Sequence, residues 1–266
     1  MSNYNEPLSL NGNTSKSTVG IVLQARTGSS RMPNKVLEIF HRGETLLATV
    51  ISQLEKNSFG LPIVIASTNL PTDDSIAELA DRIGVDCFRG SENNVLARFI
   101  DCCHNYNFTK CVRVCADNPF ISPKLIDEII EASIDSPDID YISHSVNGTP
   151  GIRTHLGVFS ELVSLKALEF IQSTTDDPYY LEHVTNYLYE NKLEGHGVSF
   201  LPKDEYDKFS SMRLTIDNQK DFDSCAQIPK LLIGKKQVSL EDIFSVVSKN
   251  PSIFETMKAQ INLNKK

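Results

Sequence analysis

Between Leu23 and Lys35 the chain reads LQARTGSSRMPNK. Arg26, Arg31 and Lys35 put three fixed positive charges into this short segment, and Gly28, Ser29 and Ser30 offer backbone N–H groups between them. Arginine can bind phosphate oxygens through two parallel N–H bonds, and successive N–H groups of a turn can form an anion nest. The chemistry indicated is anion binding, phosphate above all; the plainer alternative is a solvated basic loop. The segment is not a P-loop, which closes on Gly-Lys-Ser/Thr, nor the G-x-G-x-x-G turn of a dinucleotide site.

Two aspartates extend the argument. Asp117, in ADNP, follows the apolar run KCVRVCA, and Asp217, in RLTIDNQKDF, ends another strand-like run. A carboxylate at a strand exit can hold Mg²⁺, which takes one or two carboxylates and completes its shell with phosphate oxygens and water. Asp-Asn-Pro is also ordinary turn chemistry, and Asp217 also suits a helix N-cap. Taken together, a basic anion loop and two strand-end aspartates compose a metal–nucleoside triphosphate site, where an oxygen nucleophile attacks one phosphorus in line.

These residues need a scaffold that gathers strand ends. TVGIVLQA, LPIVIAST and KCVRVCA are apolar runs of strand length, as expected for parallel strands covered on both faces. ETLLATVISQLEKN, DDSIAELADRIGV, NVLARFIDCCHNYN and SPKLIDEIIEASI alternate with them at helical spacing, Gly84 closing the second and Ser122 with Pro123 opening the fourth. This order predicts a doubly wound, mostly parallel α/β sheet, with ligands beyond the carboxyl ends of its strands. Further on, DIDYISHS, GVSFLP and SMRLTI read as strands, VNGTPGIRTHLG as a loop or hairpin, and SLKALEFIQ and PYYLEHVTNYLYEN as helices. Two more helices are expected near residues 240–248 and 253–261. Residues 1–17 read as a flexible polar tail and 18–266 as one domain, with 138–215 as a subregion.

Among 266 residues, 34 are acidic and 26 basic, a net charge of -8 that argues against general nucleic-acid binding. No apolar run approaches the ~20 residues of a membrane helix, and the first residues lack the order of a secretory signal, so a cytoplasmic protein without a membrane partner is expected. Six cysteines, with no C-x-x-C pair, read as buried free thiols.

The segments quoted so far carry a resemblance. IVLQARTGSSRMPNKVL is similar to the IVQAR-GS-RLPGKVL opening of cytidylyltransferases of the spore-coat polysaccharide biosynthesis type, relatives of the CMP-sugar-acid synthetases that act on 3-deoxy-manno-octulosonate and sialic acids. VIASTNLPTDDSIAELADRIGVDCFRGSENNVLARF, VRVCADNPFISPKLIDEII, DPYYLEHVTNYLYEN and RLTIDNQKDF resemble further family segments in the same order. The resemblance spans about Val19 to Phe222.

It implies a nucleotide-diphospho-sugar-transferase-like three-layer α/β sandwich with a mostly parallel central sheet. It also implies a Mg²⁺-dependent transfer of CMP from CTP to a sugar, sugar acid or related phosphorylated acceptor, and a homodimer through residues 138–215. Arg26, Arg31, Lys35 and Asp117 correspond to the catalytic set, and Asp117 and Asp217 to the metal carboxylates. Gln24, Ala25, Gly28, Ser29 and Ser30 fall to the nucleotide, with Arg89, Ser91 and Asn94 near base and ribose. Glu161 falls to the acceptor; His155, in the divergent loop, is placed to contact an acceptor carboxylate, and His183, in the EHVT match, reads either as an acceptor contact or as a structural residue that orders its helix. Three positions depart from the family: Asn34 and Ala116 replace glycines, and Phe159 stands where an aspartate is expected. Rival readings are a glycosyltransferase of related architecture, using a nucleotide sugar, and a decayed binding or scaffold subunit.

Overall fold

Val19, Ile21 and Leu23 face one way along their strand and Val22 the other, and all four are fully buried. Both faces of that strand are covered, as its continuous apolar run requires. The computed structural model describes residues 8–10, 17–190, 196–235 and 237–263. Its strands are β1 (Leu8–Leu10), β2 (Ser17–Gln24), β3 (Ile39–His41), β4 (Glu44–Thr45), β5 (Ile63–Thr68), β6 (Asp86–Gly90), β7 (Lys110–Cys115), β8 (Ile139–Val146), β9 (Thr149–Pro150), β10 (Glu161–Ser164) and β11 (Gly197–Pro202). Its helices are α1 (Leu46–Leu54), α2 (Asp74–Ile83), α3 (Val95–Asn105), α4 (Pro123–Asp135), α5 (Leu165–Thr174), α6 (Pro178–Glu182), α7 (Asn186–Glu190), α8 (Gln219–Leu231), α9 (Leu240–Lys249) and α10 (Pro251–Leu263).

The main sheet runs β11-β8-β10-β7-β2-β5-β6. β2 is parallel to β5 and β7, β5 to β6, and β8 to β11, while β10 runs antiparallel to both its neighbours. Leu47, Ile51, Leu79, Ile126 and Ile129 bring α1, α2 and α4 onto one face, and Phe99, Cys103, Leu168, Ile171 and Leu188 bring α3, α5 and α7 onto the other. The result is the expected three-layer α/β sandwich. A separate apolar cluster joins α8, α9 and α10 to residues 156–159 and 212–216, just beyond the sheet's carboxyl end.

Local signals act where the sequence places them. Ser122 accepts a hydrogen bond from Leu125 N ahead of Pro123, and Gly84 closes α2 at φ 73°. Asn147 and Gly148 both have positive φ, as a two-residue hairpin between β8 and β9 requires. The described cysteines are free thiols, four buried and two half-buried.

Three elements differ from expectation. Leu8–Leu10, inside the expected tail, pairs antiparallel with Ser17–Val19. The start of β2 overhangs β5, which pairs with it only from Ile21, so a free edge remains for another strand; the rest of residues 1–16 lies outside the described residues. PYYLEHVTNYLYEN breaks into α6 and α7 because Val184 and Thr185 turn inward and are fully buried. SMRLTI joins no sheet: Leu214 N donates to His155 O and Ile216 N to Asp117 O, so its extended backbone bridges two loops.

The close packing yields a paired prediction. A Cβ on Gly20 would fall 2.2–2.6 Å from the Phe108 ring, whereas one on Gly28 meets nothing within 4 Å. Gly20→Ala should lower the unfolding free energy by about 1–3 kcal/mol in urea titration, and Gly28→Ala should stay within ~0.5 kcal/mol of the parent.

Candidate active site

Thr27 fixes the base of the Arg26–Lys35 loop. Its N–H donates to Asp73 Oδ1 (2.8 Å), while its own carbonyl accepts from Ser29 N (2.8 Å) and Asn34 N (2.9 Å). Asp73 is almost fully buried and also accepts from Ser67 and Thr68. Burial pushes its carboxyl group up, but the hydrogen bonds from Thr27 and Thr68 outweigh this and hold it below the usual carboxylate value. Met32 anchors the far side in the apolar cluster, leaving Gly28, Ser30 and Arg31 on an exposed arc. Asn34 adopts φ 60°, a left-handed conformation that asparagine tolerates where the family has glycine.

The loop's three cations meet carboxylates from three other segments. Lys35 is buried, its ammonium 3.1 Å from Asp117 Oδ2 and 2.6 Å from the Ile216 carbonyl. Arg31 reaches Asp217 Oδ1 at 2.8 Å, and Arg26 reaches the exposed Glu182 Oε1 at 3.4 Å. Since Ile216 N donates to the Asp117 carbonyl (2.9 Å), the loop after β7 and the Asp217 segment are stitched together directly. Gly157, at φ 60°, packs against both: a Cβ there would lie 2.9 Å from Thr215 N and 3.0 Å from Asn118 Oδ1. Ala116, the other glycine replacement, is not at positive φ and is buried in the core.

Asp217 has a second partner that the sequence reading missed. Arg213 is fully buried and donates to Asp217 Oδ2 (2.5 Å), to both oxygens of Asp221 (2.8 and 3.1 Å) and to His155 Nδ1 (2.6 Å). Burial opposes its charge, but Asp221 and Asp217 raise its pKa above the ordinary arginine value. Arg213 thus fixes one oxygen of Asp217 and ties it to the loop after β9. An arginine four residues before the aspartate was the available signal.

Among the described residues, no group of three or more His, Cys, Asp or Glu side chains could hold a metal. Asp117 and Asp217 nonetheless offer hard carboxylate oxygens on adjoining segments. That set suits Mg²⁺ when phosphate oxygens and water complete the shell, so the residues present fit such an ion alongside a bound triphosphate.

A cavity of about 590 Å³ opens at this end of the sheet. Its lining brings together Gln24, Ala25, Arg26, Ser29, Ser30, Arg31 and Lys35, the aspartates Asp117 and Asp217, and residues 151–154 with Tyr179, His183, Asn186 and Tyr189. His183 is thus a lining residue, its ring 4.9 Å from that of Tyr179. Other expected positions lie elsewhere. Glu161 is fully buried and binds Arg113 (2.6 Å), Tyr141 (2.5 Å) and Thr185 (2.9 and 3.0 Å), so it reaches the cavity only through Arg113. The acceptor role expected for Glu161 is therefore replaced by a supporting one, because all its lone pairs face the interior. His155 turns to Arg213 and is not a lining residue, and exposed Gly28 stands outside the cavity. Phe159 lines the cavity from the core, stacked over Gly151, whose added Cβ would lie 2.7 Å from its ring. Arg89, Ser91 and Asn94 gather at the end of β6 instead: Arg89 donates to the Thr68 and Leu70 carbonyls and to Asp74, and Asn94 caps α3.

The chain is similar to known proteins over most of its length. A sequence model described as cytidylyltransferase matches residues 20–250. The chain is 36% identical over 232 residues to an uncharacterized protein of Methanocaldococcus jannaschii, covering 87% of this chain and 91% of that one. It is 30% identical over 235 residues to the spore coat polysaccharide biosynthesis protein SpsF of Bacillus subtilis, covering 86% and 94%. The solved structure of a cytidylyltransferase from Leptospira borgpetersenii serovar Hardjo-bovis superposes with a TM-score of 0.80 at 30% identity, over 90% of this chain and 97% of that one.

Burial separates the ion pairs of the site by magnitude. Glu161→Ala strands the Arg113 cation in the interior and should cost roughly 3–5 kcal/mol of stability. Glu182→Ala removes only the exposed partner of Arg26 and should cost about 0.2–1 kcal/mol. Urea denaturation of the two variants beside the parent checks the contrast.

Proposed function

This chain belongs to the cytidylyltransferase family of nucleotidyltransferases, and from that premise we propose that it transfers CMP from CTP, with Mg²⁺, to a sugar, sugar acid or related phosphorylated acceptor in the synthesis of a surface polysaccharide or glycan precursor. The observation that carries the reading is the convergence of Arg26, Arg31 and Lys35 with Asp117 and Asp217 around one cavity at the ends of β2 and β7.

In the proposed reaction an acceptor oxygen attacks the α-phosphorus of CTP in line. The new P–O bond forms as the bond to the bridging oxygen of the departing pyrophosphate breaks, and negative charge collects on that leaving group. Lys35 is already oriented by Asp117 and the Ile216 carbonyl, so little reorganisation is needed for it to stabilise the charge. Arg31 and Arg26 exchange their carboxylate partners for phosphate oxygens, whose geometry suits a guanidinium fork. A Mg²⁺ ion held by Asp117 and Asp217 would supply further charge neutralisation at the phosphates. Arg213, bonded to Asp217 on its other oxygen, keeps that carboxylate aimed at the cavity. Tyr179, His183, Asn186 and Tyr189, which line the same cavity, present aromatic and amide groups of the kind that hold a polyhydroxylated acceptor.

The test is a pyrophosphate-release screen of the four nucleoside triphosphates, with Mg²⁺, against phosphorylated sugars, 2-keto sugar acids and polyol phosphates. CTP-dependent release with one acceptor class is expected, and Asp117→Ala should lower it by at least ~10²-fold. Undiminished release in that variant would remove Asp117 from the metal role. Free nucleotide released from a nucleotide sugar would instead identify a glycosyltransferase, and nucleotide binding without turnover across the panel a scaffold subunit.

A further inference from the structure

When an acceptor hydroxyl attacks phosphorus, some group has to receive its proton. Three carboxylates line the cavity among the described residues: Asp117, Asp217 and Glu182. Two of them are committed. Asp117 is bonded to Lys35, and the two oxygens of Asp217 are taken by Arg31 and Arg213. Both also belong to the metal set proposed above. Glu182 differs. It is the last residue of α6, its side chain is 55% exposed, and its Oε1 lies 3.4 Å from Arg26 Nη2. That long contact is the one bond its carboxylate makes among the described residues.

The contact ties α6 to the phosphate loop. Arg26 stands two residues past the end of β2, and Glu182 stands beside Tyr179 and His183, which line the same cavity. With only the guanidinium between them, the carboxylate borders the place that a phosphate on Arg26 would occupy. An ion pair this exposed and this long is worth little. A triphosphate brings several negative charges and oxygens that fit the guanidinium fork, so it takes Arg26 away from Glu182. The carboxylate is then released into the cavity that the acceptor has to enter. The nearest rival is His183, next in the chain, whose ring packs edge-on against Tyr179.

We infer that Glu182 is the general base of the transfer, held by Arg26 until the triphosphate releases it. The acceptor O–H proton passes to Glu182 as the oxygen's electron pair forms the new bond to the α-phosphorus. The bond to the bridging oxygen breaks, and its electron pair leaves with pyrophosphate. Glu182 then returns the proton to water. The inference rests on the CMP-transfer reading above and adds that the acceptor, whatever else it carries, attacks through a hydroxyl group. A phosphate monoester is mostly a dianion at neutral pH, so it has no such proton to give and is repelled by the carboxylate.

Two measurements on the whole protein with Mg²⁺ test this. In calorimetric titration without acceptor, Glu182→Gln removes the competitor for Arg26 and should bind CTP and inorganic pyrophosphate about 1.5- to 5-fold more tightly than the parent. In steady-state pyrophosphate release, with saturating CTP and the acceptor that the panel above turns over, the same variant should lose about 10²-fold or more in kcat. Glu182→Asp should recover part of that loss. A structural residue would instead weaken nucleotide binding along with turnover, and that result would overturn the inference. Tighter CTP binding with unchanged kcat would overturn it too, by making the pair a latch and nothing more. So would a loss of kcat in His183→Gln with none in Glu182→Gln, which moves the proton to the imidazole. Phosphorus NMR of the parent's product should show CMP joined to an acceptor hydroxyl as a phosphodiester, and a diphosphate linkage would again overturn the inference. A parent that releases no pyrophosphate with any acceptor would refute the CMP-transfer reading itself, whereas full turnover in Glu182→Gln would refute only the role of Glu182.

Discussion

Lys35 stands in the interior end of the phosphate loop with its ammonium shared between the Asp117 carboxylate and the Ile216 carbonyl. A buried lysine needs such partners, since an unpaired charge there would cost several kcal/mol. The consequence reaches well beyond one side chain. The loop after β2, the loop after β7 and the segment leading to Asp217 are far apart in sequence, and this contact holds all three in register. Arg31 and Arg213 then act on Asp217 from opposite sides, each taking a different oxygen. The site is preorganised because its charges cannot be left unpaired, and the pairings available are across segments rather than within them.

The same rule sorts the other charges by depth. Around the cavity, exposed pairs such as Arg26–Glu182 are weakly held and easily exchanged for a ligand. Buried pairs such as Arg113–Glu161, reinforced by Tyr141 and Thr185, are part of the scaffold and fix the kink between α6 and α7 through Thr185. An anionic substrate thus meets cations that can let go of their partners, mounted on cations that cannot. Arg98 breaks the pattern by being deep with no carboxylate partner among the described residues, its Nη1 alone bonding to the Ser91 carbonyl.

Much of this was legible in the residues. Continuous apolar runs gave β2, β5 and β7, and strand-end logic brought Arg26, Arg31, Lys35 and Asp117 to one place, while Asp217 joins them from an extended segment that belongs to no sheet. Those inferences depend on short-range pattern and on the topology of parallel sheets. What escaped depends on contacts between distant segments. Nothing local to Glu161 says that Arg113, Tyr141 and Thr185 will surround it, so a carboxylate near the acceptor region read as a binding group. His155 was drawn the same way, its partner Arg213 lying 58 residues on. SMRLTI has the composition of a strand, but its backbone groups bond to two loops, a destination composition cannot specify.

The uneven legibility follows from how the two halves of the site are built. The proposed phosphate side is one continuous segment, Leu23 to Lys35, whose charges and turn residues can be read from its own sequence. The proposed acceptor side is assembled from residues 151–159 and from α6 and α7, with Phe159, Val184 and Leu188 packed into different parts of the core. Phe159 illustrates the effect: it stands where the family resemblance led to an aspartate, and it packs over Gly151 against His144 and Tyr206 as a core residue that also lines the cavity. An apolar ring there lines the cavity without offering a hydrogen bond. In the proposed reaction the polar lining groups left to meet an acceptor, besides Glu182, are those of Arg153, Tyr179, His183 and Asn186.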